Sequence, residues 1–154
     1  MGTVDLHELR VYQLAMRVGE DVWSITGGWE WLAKQTIGLQ WIRSADSIAA
    51  NISEGYGRYS FKENAKFCYY ARGSLRETQT WLEKALSRQL LNPGAADDLA
   101  LRLEALRRQL DNYIHSLGRI SDNVLREESS ETEVELPPLE EFLASHDPAR
   151  LTNP

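Results

Sequence analysis

The chain has 154 residues, of which 42% are hydrophobic and 26% charged, a composition ordinary for one folded domain with a sizeable core. Its single cysteine, Cys68, excludes an intrachain disulfide, so the fold needs no oxidising compartment. No apolar run approaches the ~20 residues of a membrane-spanning helix. The first residues also lack the basic and apolar regions of a secretory signal. We therefore expect a cytoplasmic protein with no membrane partner.

The net charge of −6 is concentrated at the C-terminal side of the chain. Residues 125–154 carry two basic and eight acidic residues, whereas residues 1–124 carry fifteen of each. The acidic, proline-containing composition of 125–154 predicts a flexible tail. The alternative is one amphipathic helical turn at Leu139, Phe142 and Leu143 that docks on a partner or on the folded domain.

Apolar residues that recur at steps of three and four predict an all-α fold. The predicted helices cover about 7–26, 34–54, 61–91 and 95–124. The apolar stripe of the first helix is expected at Leu9, Tyr12, Met16, Gly19, Val22 and Trp23, with Val18 and Ile25 widening it. The seam of the fourth is expected at Leu99, Leu103, Leu106, Leu110, Tyr113, Leu117 and Ile120. Short connections make sequential helices antiparallel, so residues 1–124 are predicted to form an up-down-up-down four-helix bundle.

Glycine, proline and capping residues mark the predicted helix ends. Gly55 and Gly57 are expected to end the second helix, because glycine tolerates the positive φ of a helix terminus. Ser60 with Glu63 makes a capping box for the third helix. The sequence Asn-Pro-Gly at 92–94 predicts a tight turn, since proline cannot continue the helical ladder.

Two motifs within 40–77 carry a family resemblance. Asn-Ile-Ser-Glu-Gly-Tyr-Gly-Arg occupies 51–58 and Ala-Arg-Gly-Ser-Leu-Arg-Glu occupies 71–77. Asp5-Leu6 and the segment Val-Tyr-Gln-Leu-Ala-Met at 11–16 add the opening pattern, with Tyr12 where the family usually has Trp. The chain resembles the four-helix-bundle family of proteins encoded in 23S ribosomal RNA intervening sequences, over roughly 5–120. That family is similar to the accessory variability determinant of diversity-generating retroelements.

The resemblance implies a fold and an assembly. It implies a four-helix bundle, a homopentameric ring and no established enzymatic activity. A second apolar edge on the second and third helices agrees with a subunit contact in such a ring. The predicted subunit-interface residues are Trp41, Ile48, Phe67, Tyr70 and Trp81. The connector tryptophans, Trp29 and Trp31, are expected to cover the bundle end or to meet a neighbouring subunit.

The residues offer little support for catalysis or for a cofactor. None of His7, His115 and His146 follows a glutamate by three positions, as the ligand pairs of di-iron bundles do. Cys68 falls on the predicted core face, which favours a buried apolar role over a nucleophilic one. The segment 55–58 lacks the Gly-Lys-Ser/Thr of a phosphate loop. We therefore predict no catalytic residue, no metal and no cofactor.

A polar stripe runs along the second helix and is expected to face the third. Its residues are Ser47, Asn51, Glu54, Arg58, Arg72, Ser74 and Glu77. Because donors and acceptors are balanced, we favour a structural polar network that fixes helix register. The alternative is a binding site for an anionic or polar partner.

A basic belt is the other candidate surface. Its residues are Lys34, Arg43, Arg58, Lys62, Lys66, Arg72 and Arg76. Three acidic residues lie in the same span, and Tyr56, Tyr59, Tyr69 and Tyr70 are interleaved with the belt. Basic side chains supply phosphate affinity and tyrosines stack on bases. The favoured function is a non-enzymatic ring-forming interaction protein that acts with a nucleic-acid enzyme such as a reverse transcriptase. The alternative is an RNA- or DNA-binding module using the belt.

Overall fold

The computed structural model describes residues 4–131, with side chains to 128. The described part is helical and contains no strand. Four long helices follow one another: α1 (Arg10–Gly27), α2 (Leu39–Tyr56), α3 (Phe61–Ser87) and α4 (Pro93–Glu131). A 3-10 turn, Leu6–Glu8, precedes α1. Residues 125–131 continue α4 as helix, and the remainder of the predicted tail lies outside the described residues.

A π-helical segment, Lys34–Gly38, leads directly into α2 after the short helical turn Trp31–Ala33. A Cβ on Gly38 would lie 3.3 Å from the Ala33 carbonyl oxygen, so a small residue suits this wider turn. The Trp29 ring stacks on the Trp41 ring, with centroids 5.7 Å apart. Trp31 is 72% exposed. Of the two connector tryptophans, Trp29 therefore folds onto the core and Trp31 faces solvent.

The remaining helix ends differ in detail from the sequence predictions. Ser60 Oγ accepts from the Glu63 amide at 3.1 Å, which confirms the predicted N-cap of α3. That helix ends at Ser87, near Gln89, whose φ is 59°. Pro93 begins α4 instead of making a separate turn, because proline lacks only an amide that the first helical turn leaves unpaired.

All four helices contribute to one buried core. Its largest fully buried side chains include Trp41, Ile48, Ile52, Leu75, Leu99, Leu103, Leu106 and Leu110. In α4 the predicted seam is buried from Leu99 to Leu117, apart from half-buried Tyr113, whereas Ile120 is 41% exposed.

The buried face of α1 differs in part from the predicted stripe. Val18, Gly19 and Val22 are buried as predicted, whereas Met16 is 46% exposed and Trp23 is 62% exposed. Small residues lie where α1 meets α2. A Cβ on Gly19 would lie 2.7 Å from Asp46 Oδ1, the end of a side chain on α2.

Candidate functional site

The junction of α2 and α3 carries the first family-like motif and is closely packed. A Cβ on Gly55 would lie 2.9 Å from both the Asn64 carbonyl oxygen and Phe67 Cβ. Gly57 caps α2 with φ −73°, and no described glycine has a positive φ. The expectation that these glycines supply a left-handed helix end is therefore wrong. Gly55 is needed because α3 crosses too near for any side chain.

A cavity of about 410 Å³ lies beside this junction and is called the loop-end cavity below. Residues from the N-terminal segment, the α2–α3 connection, α3 and α4 line it. They are Val4, Leu9, Tyr56, Arg58, Tyr59, Ser60, Phe61, Asn64, Tyr113, Ser116, Leu117 and Ile120. Tyr59 is fully exposed. The Tyr56 hydroxyl donates to the Val4 carbonyl oxygen, which ties the N-terminal segment to the cavity.

The polar wall of the loop-end cavity joins α3 to α4. Asn64 Nδ2 donates to the Tyr113 hydroxyl at 3.1 Å, and Cys68 Sγ lies 3.5 Å from Asn64 Oδ1. Asn64 is only 7% exposed. Burial is the main cause that raises the pKa of Tyr113, so this phenol stays protonated at neutral pH.

Arg58 is the cation of the loop-end cavity. Its guanidinium is paired with Glu54, one helical turn earlier. The guanidinium also lies over the Phe67 ring, 4.7 Å from the ring centroid. Two contacts therefore hold this flexible side chain in one position.

The predicted polar stripe makes mostly local contacts. Ser47 Oγ donates to the Arg43 carbonyl, and Asn51 Nδ2 donates to the Ser47 carbonyl at 2.8 Å. Glu77 accepts from Trp81 Nε1 at 3.2 Å, one turn along the same helix. Such bonds satisfy side chains without joining α2 to α3, because each stays within its own helix.

Arg72 and Ser74 are the other two members of the stripe on α3. Arg72 lies 3.4 Å from Asp111 on α4 rather than facing α2. The Ser74 carbonyl lies 2.9 Å from Thr78 Oγ1. Within the described residues, these hydrogen bonds and ion pairs do not include the expected bridge between Ser47, Asn51 or Glu54 on α2 and Arg72, Ser74 or Glu77 on α3.

A different set of residues forms the buried polar link between α2 and α3. Thr78 Oγ1 lies 3.1 Å from Ser44 Oγ, and Trp41 Nε1 donates to the Thr78 carbonyl at 3.1 Å. All three side chains are buried. Thr78 and Asn64 sit at core positions of the three-and-four pattern of α3. A polar residue at such a position is the sequence signal that could have revealed both links.

Every residue of the basic belt is exposed, but the belt is not one cluster. Lys34 lies in the π-helical segment that precedes α2. Lys62 lies in the first turn of α3, just after the other end of α2. The two helix ends are roughly 25 Å apart at ~1.5 Å per residue. Within the described residues, Arg43, Lys62 and Lys66 form no ion pair, whereas Arg58 and Arg72 do.

The predicted subunit-interface residues divide into two groups. Trp41 and Ile48 have no exposed surface in the single chain, so they are core residues and cannot meet another subunit. Their prediction as contact residues is wrong because this face of α2 packs inside its own chain. Tyr70 is 50% exposed and meets the Phe67 ring edge-to-face, at 5.6 Å. Trp81 is half-buried.

A second apolar surface includes Trp31, which was predicted to cover the bundle end or to meet a neighbouring subunit, together with three residues that were not predicted as contacts. Part of this surface lines a groove of about 290 Å³ between the end of α1 and the start of α2. We call this surface the apolar end. It consists of Trp23, Trp31, Leu32 and Leu39, which are 49–72% exposed. Trp23 and Leu39 line the groove itself.

The sequence of this chain matches the profile of a known protein family. The sequence profile described as 23S rRNA-intervening sequence protein matches residues 7–112, which include both motifs. The chain belongs to that family. No match was found among curated protein sequences.

A solved structure supports the fold of this 23S rRNA-intervening sequence family member. It is a crystal structure of a protein with unknown function from the S23 ribosomal protein family of Bacteroides thetaiotaomicron. The two chains are 18% identical, with a TM-score of 0.61. The match covers 68% of this chain and 95% of the other. At this identity the likeness bears on the fold alone.

The described residues of this family member contain no metal-binding group, and their one cysteine is poorly suited to nucleophilic attack. No group of three or more His, Cys, Asp or Glu side chains among residues 4–128 is placed to hold a metal ion. Cys68 is fully buried, and burial raises the pKa of its thiol to about 12, so the thiolate needed for attack is scarce. Nor does any described helix have the length and apolar content to span a membrane.

Proposed function

We propose that the protein is a non-enzymatic assembly protein. In this proposal its four helices form an antiparallel up-down-up-down bundle. Five copies close into a ring that acts with a nucleic-acid enzyme such as a reverse transcriptase. Each of these steps goes beyond family membership and has its own support and its own test.

Pairs of contacts along neighbouring helices support the antiparallel order. Gly38, before α2, approaches Thr26 near the end of α1, whereas Gly19 in mid-α1 approaches Asp46 further along α2. Trp41 at the start of α2 bonds to Thr78 late in α3. Gly55 at the end of α2 meets Asn64 early in α3. In these pairs, a residue later in one helix contacts a residue earlier in the next, as in an antiparallel arrangement.

The apolar end is the observation that carries the assembly proposal. Its two tryptophans and two leucines are 49–72% exposed, and Trp23 and Leu39 among them line one groove. Clustered apolar side chains of this kind mark interaction sites on soluble proteins. Tryptophan is also among the residues most enriched at the few interface positions that contribute most of the binding energy.

A ring needs a second, different surface on each copy, because its interface is heterologous. The exposed face of α3 supplies a candidate, with Tyr70 packed on Phe67. Tyr70 and Phe67 are the members of the predicted interface that α3 leaves accessible, together with half-buried Trp81. The apolar end of one copy would meet this face of the next.

Light scattering on purified protein tests the assembly. We expect about five times the chain mass of 17.6 kDa. Leu32→Ser should dissociate the ring, whereas Leu101→Ser is the matched control because Leu32 and Leu101 are 68% and 70% exposed. A monodisperse monomer, or equal dissociation by both variants, would contradict the proposed interface.

Nucleic-acid binding is the second candidate function. The observation that favours it is the cluster of Lys62 and Lys66 after fully exposed Tyr59. Neither lysine has an ion-pair partner within the described residues, so both are available to phosphates. Five copies of the cluster in a ring would add avidity.

A pulldown from source cells followed by nuclease treatment separates the two functions. Protein partners that survive nuclease, a reverse transcriptase among them, support the assembly function. Release of every partner by nuclease supports the second function instead, because the partners were then held through RNA or DNA.

A further inference from the structure

We propose that the loop-end cavity binds a nucleotide, with the base in the cavity and the phosphate at Arg58. The proposal rests on the second candidate function, nucleic-acid binding, and names its recognition element. A nucleotide of a single strand and a free nucleoside monophosphate share this chemistry.

The size and lining of the loop-end cavity suit a nucleobase. Its volume of about 410 Å³ falls within the ~300–1,000 Å³ of ligand pockets. Four aromatic residues line it: Tyr56, Tyr59, Phe61 and Tyr113. None of the described residues that line it carries a carboxylate, so the lining does not repel an anion.

The floor of the cavity is built in advance. Gly55 lets α2 and α3 approach so closely that Asn64 is held in place. The Asn64 amide is bonded to the Tyr113 hydroxyl at 3.1 Å, in a wall with both donors and acceptors. Such groups recognise the polar edge of a base, which a purely apolar pocket cannot do. Fully exposed Tyr59 provides a ring on which a base stacks.

Arg58 gives the site its preference for phosphate. It lines the loop-end cavity and also a neighbouring groove formed with Glu54 and Gly57. Because Glu54 already pairs with Arg58, a phosphate must compete with this carboxylate for the guanidinium. Affinity for a phosphate should therefore rise when Glu54 loses its charge. A purely structural ion pair predicts no such gain.

Titration of full-length protein at low salt tests the proposal. The probes are adenosine, adenosine monophosphate, inorganic phosphate and a labelled single-stranded RNA of twelve nucleotides. Tyr59→Ala should weaken the monophosphate and the RNA by roughly 5- to 150-fold, the range of one lost stacking contact. Tyr69→Ala is the comparison, since Tyr69 is 55% exposed and outside the cavity lining.

Variants of the ion pair test the phosphate position. Arg58→Gln should weaken the monophosphate while leaving adenosine unchanged, and Glu54→Gln should strengthen the monophosphate without strengthening adenosine. Tighter binding of the RNA than of the monophosphate identifies a strand as the source, and the reverse identifies a free nucleotide. Inorganic phosphate binding as tightly as the monophosphate would overturn the base pocket.

Three further outcomes also overturn the proposal. Equal losses in Tyr59→Ala and Tyr69→Ala would indicate diffuse stacking, with nucleic-acid binding retained. A lower assembly mass in Tyr59→Ala would show that a neighbouring copy fills the cavity. No binding by any probe would remove both this proposal and the second candidate function, while leaving the assembly function untouched. Circular dichroism melting of each variant shows whether it is folded.

Discussion

Neighbouring residues at the α2–α3 junction have separate physical roles. Gly55 is required by close approach, since any Cβ would meet Asn64 and Phe67. The buried Asn64 amide donates to the Tyr113 hydroxyl. Without this partner, the unpaired polar group would lower the stability of the fold by about 1–3 kcal/mol. Cys68, one turn further along α3, is fully buried. Close packing and hydrogen bonding therefore account for the roles of Gly55 and Asn64 at this junction.

Gly55→Ala should destabilise the protein. Its new Cβ would lie 2.8–2.9 Å from Asn64 and Phe67 atoms, and overpacking of this kind costs about 1–3 kcal/mol. Gly73→Ala is the control, because no neighbouring atom lies within 4 Å of its Cβ position in mid-α3. That change should stabilise the helix by roughly 0.5–1 kcal/mol. Urea unfolding measures both, and a Gly55→Ala variant as stable as the parent would contradict the close approach.

Cys68 should be inert while the protein is folded. Burial raises its thiol pKa from 9.0 to about 12, so the folded state favours the protonated form. Its contribution to stability is therefore fully present below about pH 9 and is lost as pH rises towards 12. A chromogenic thiol reagent at pH 8 should react slowly with native protein and rapidly in denaturant. Equal rates in the two conditions would show that Cys68 is accessible.

Secondary structure elements were largely predictable from the sequence, whereas their exact faces were not. The three-and-four pattern located four helices, and Ser60 marked the start of α3 as observed. The π-helical segment before α2 left no such signal, because it inserts extra backbone without changing composition. In α1 the prediction placed two of the largest apolar residues on the buried face, which is wrong. Met16 and Trp23 are exposed, whereas Gly19 lies where α1 meets α2.

The candidate site was less predictable because it depends on contacts between distant residues. Ser47 and Asn51 looked like an interhelical network, yet helical carbonyls one turn away satisfy them. The interhelical bonds come instead from Ser44 with Thr78, 34 positions apart, and Asn64 with Tyr113, 49 positions apart. Periodicity assigns a residue to a face but does not identify its partner on another helix.

The N-cap of α4 gives a prediction at the scale of one element. Asn92 Oδ1 accepts from the Ala95 amide at 2.8 Å, immediately before Pro93. Loss of this bond in Asn92→Ala should lower the free energy of unfolding by about 1 kcal/mol. Asn112→Ala is the control, because this exposed asparagine lies within α4 and alanine is the better helix former. A melting temperature unaffected by Asn92→Ala would contradict the capping role.

At the scale of the whole molecule, charge is distributed very unevenly. Residues 1–124 are neutral and residues 125–154 carry the entire net charge of −6. Any attraction for phosphates must therefore come from local clusters, because fields from exposed charges decay over about 8 Å at physiological salt. Lys62 and Lys66 form such a cluster, one helical turn apart on α3. Ring assembly would repeat it five times without changing the charge of any one copy.

Salt dependence should reveal whether that cluster contacts nucleic acid. Each neutralised phosphate contributes about 0.7 to the slope of log affinity against log salt for a single strand. Lys62→Gln with Lys66→Gln should therefore lower the slope by about 1.4 for each copy that contacts the strand. Arg108→Gln is the control, since Arg108 lies on α4 with its Nε 3.1 Å from Glu104 Oε1. Fluorescence anisotropy with labelled single-stranded RNA between 50 and 200 mM salt, on the order used for such slopes, measures the change. An equal decrease in both variants would mean that general charge, rather than this cluster, holds the strand.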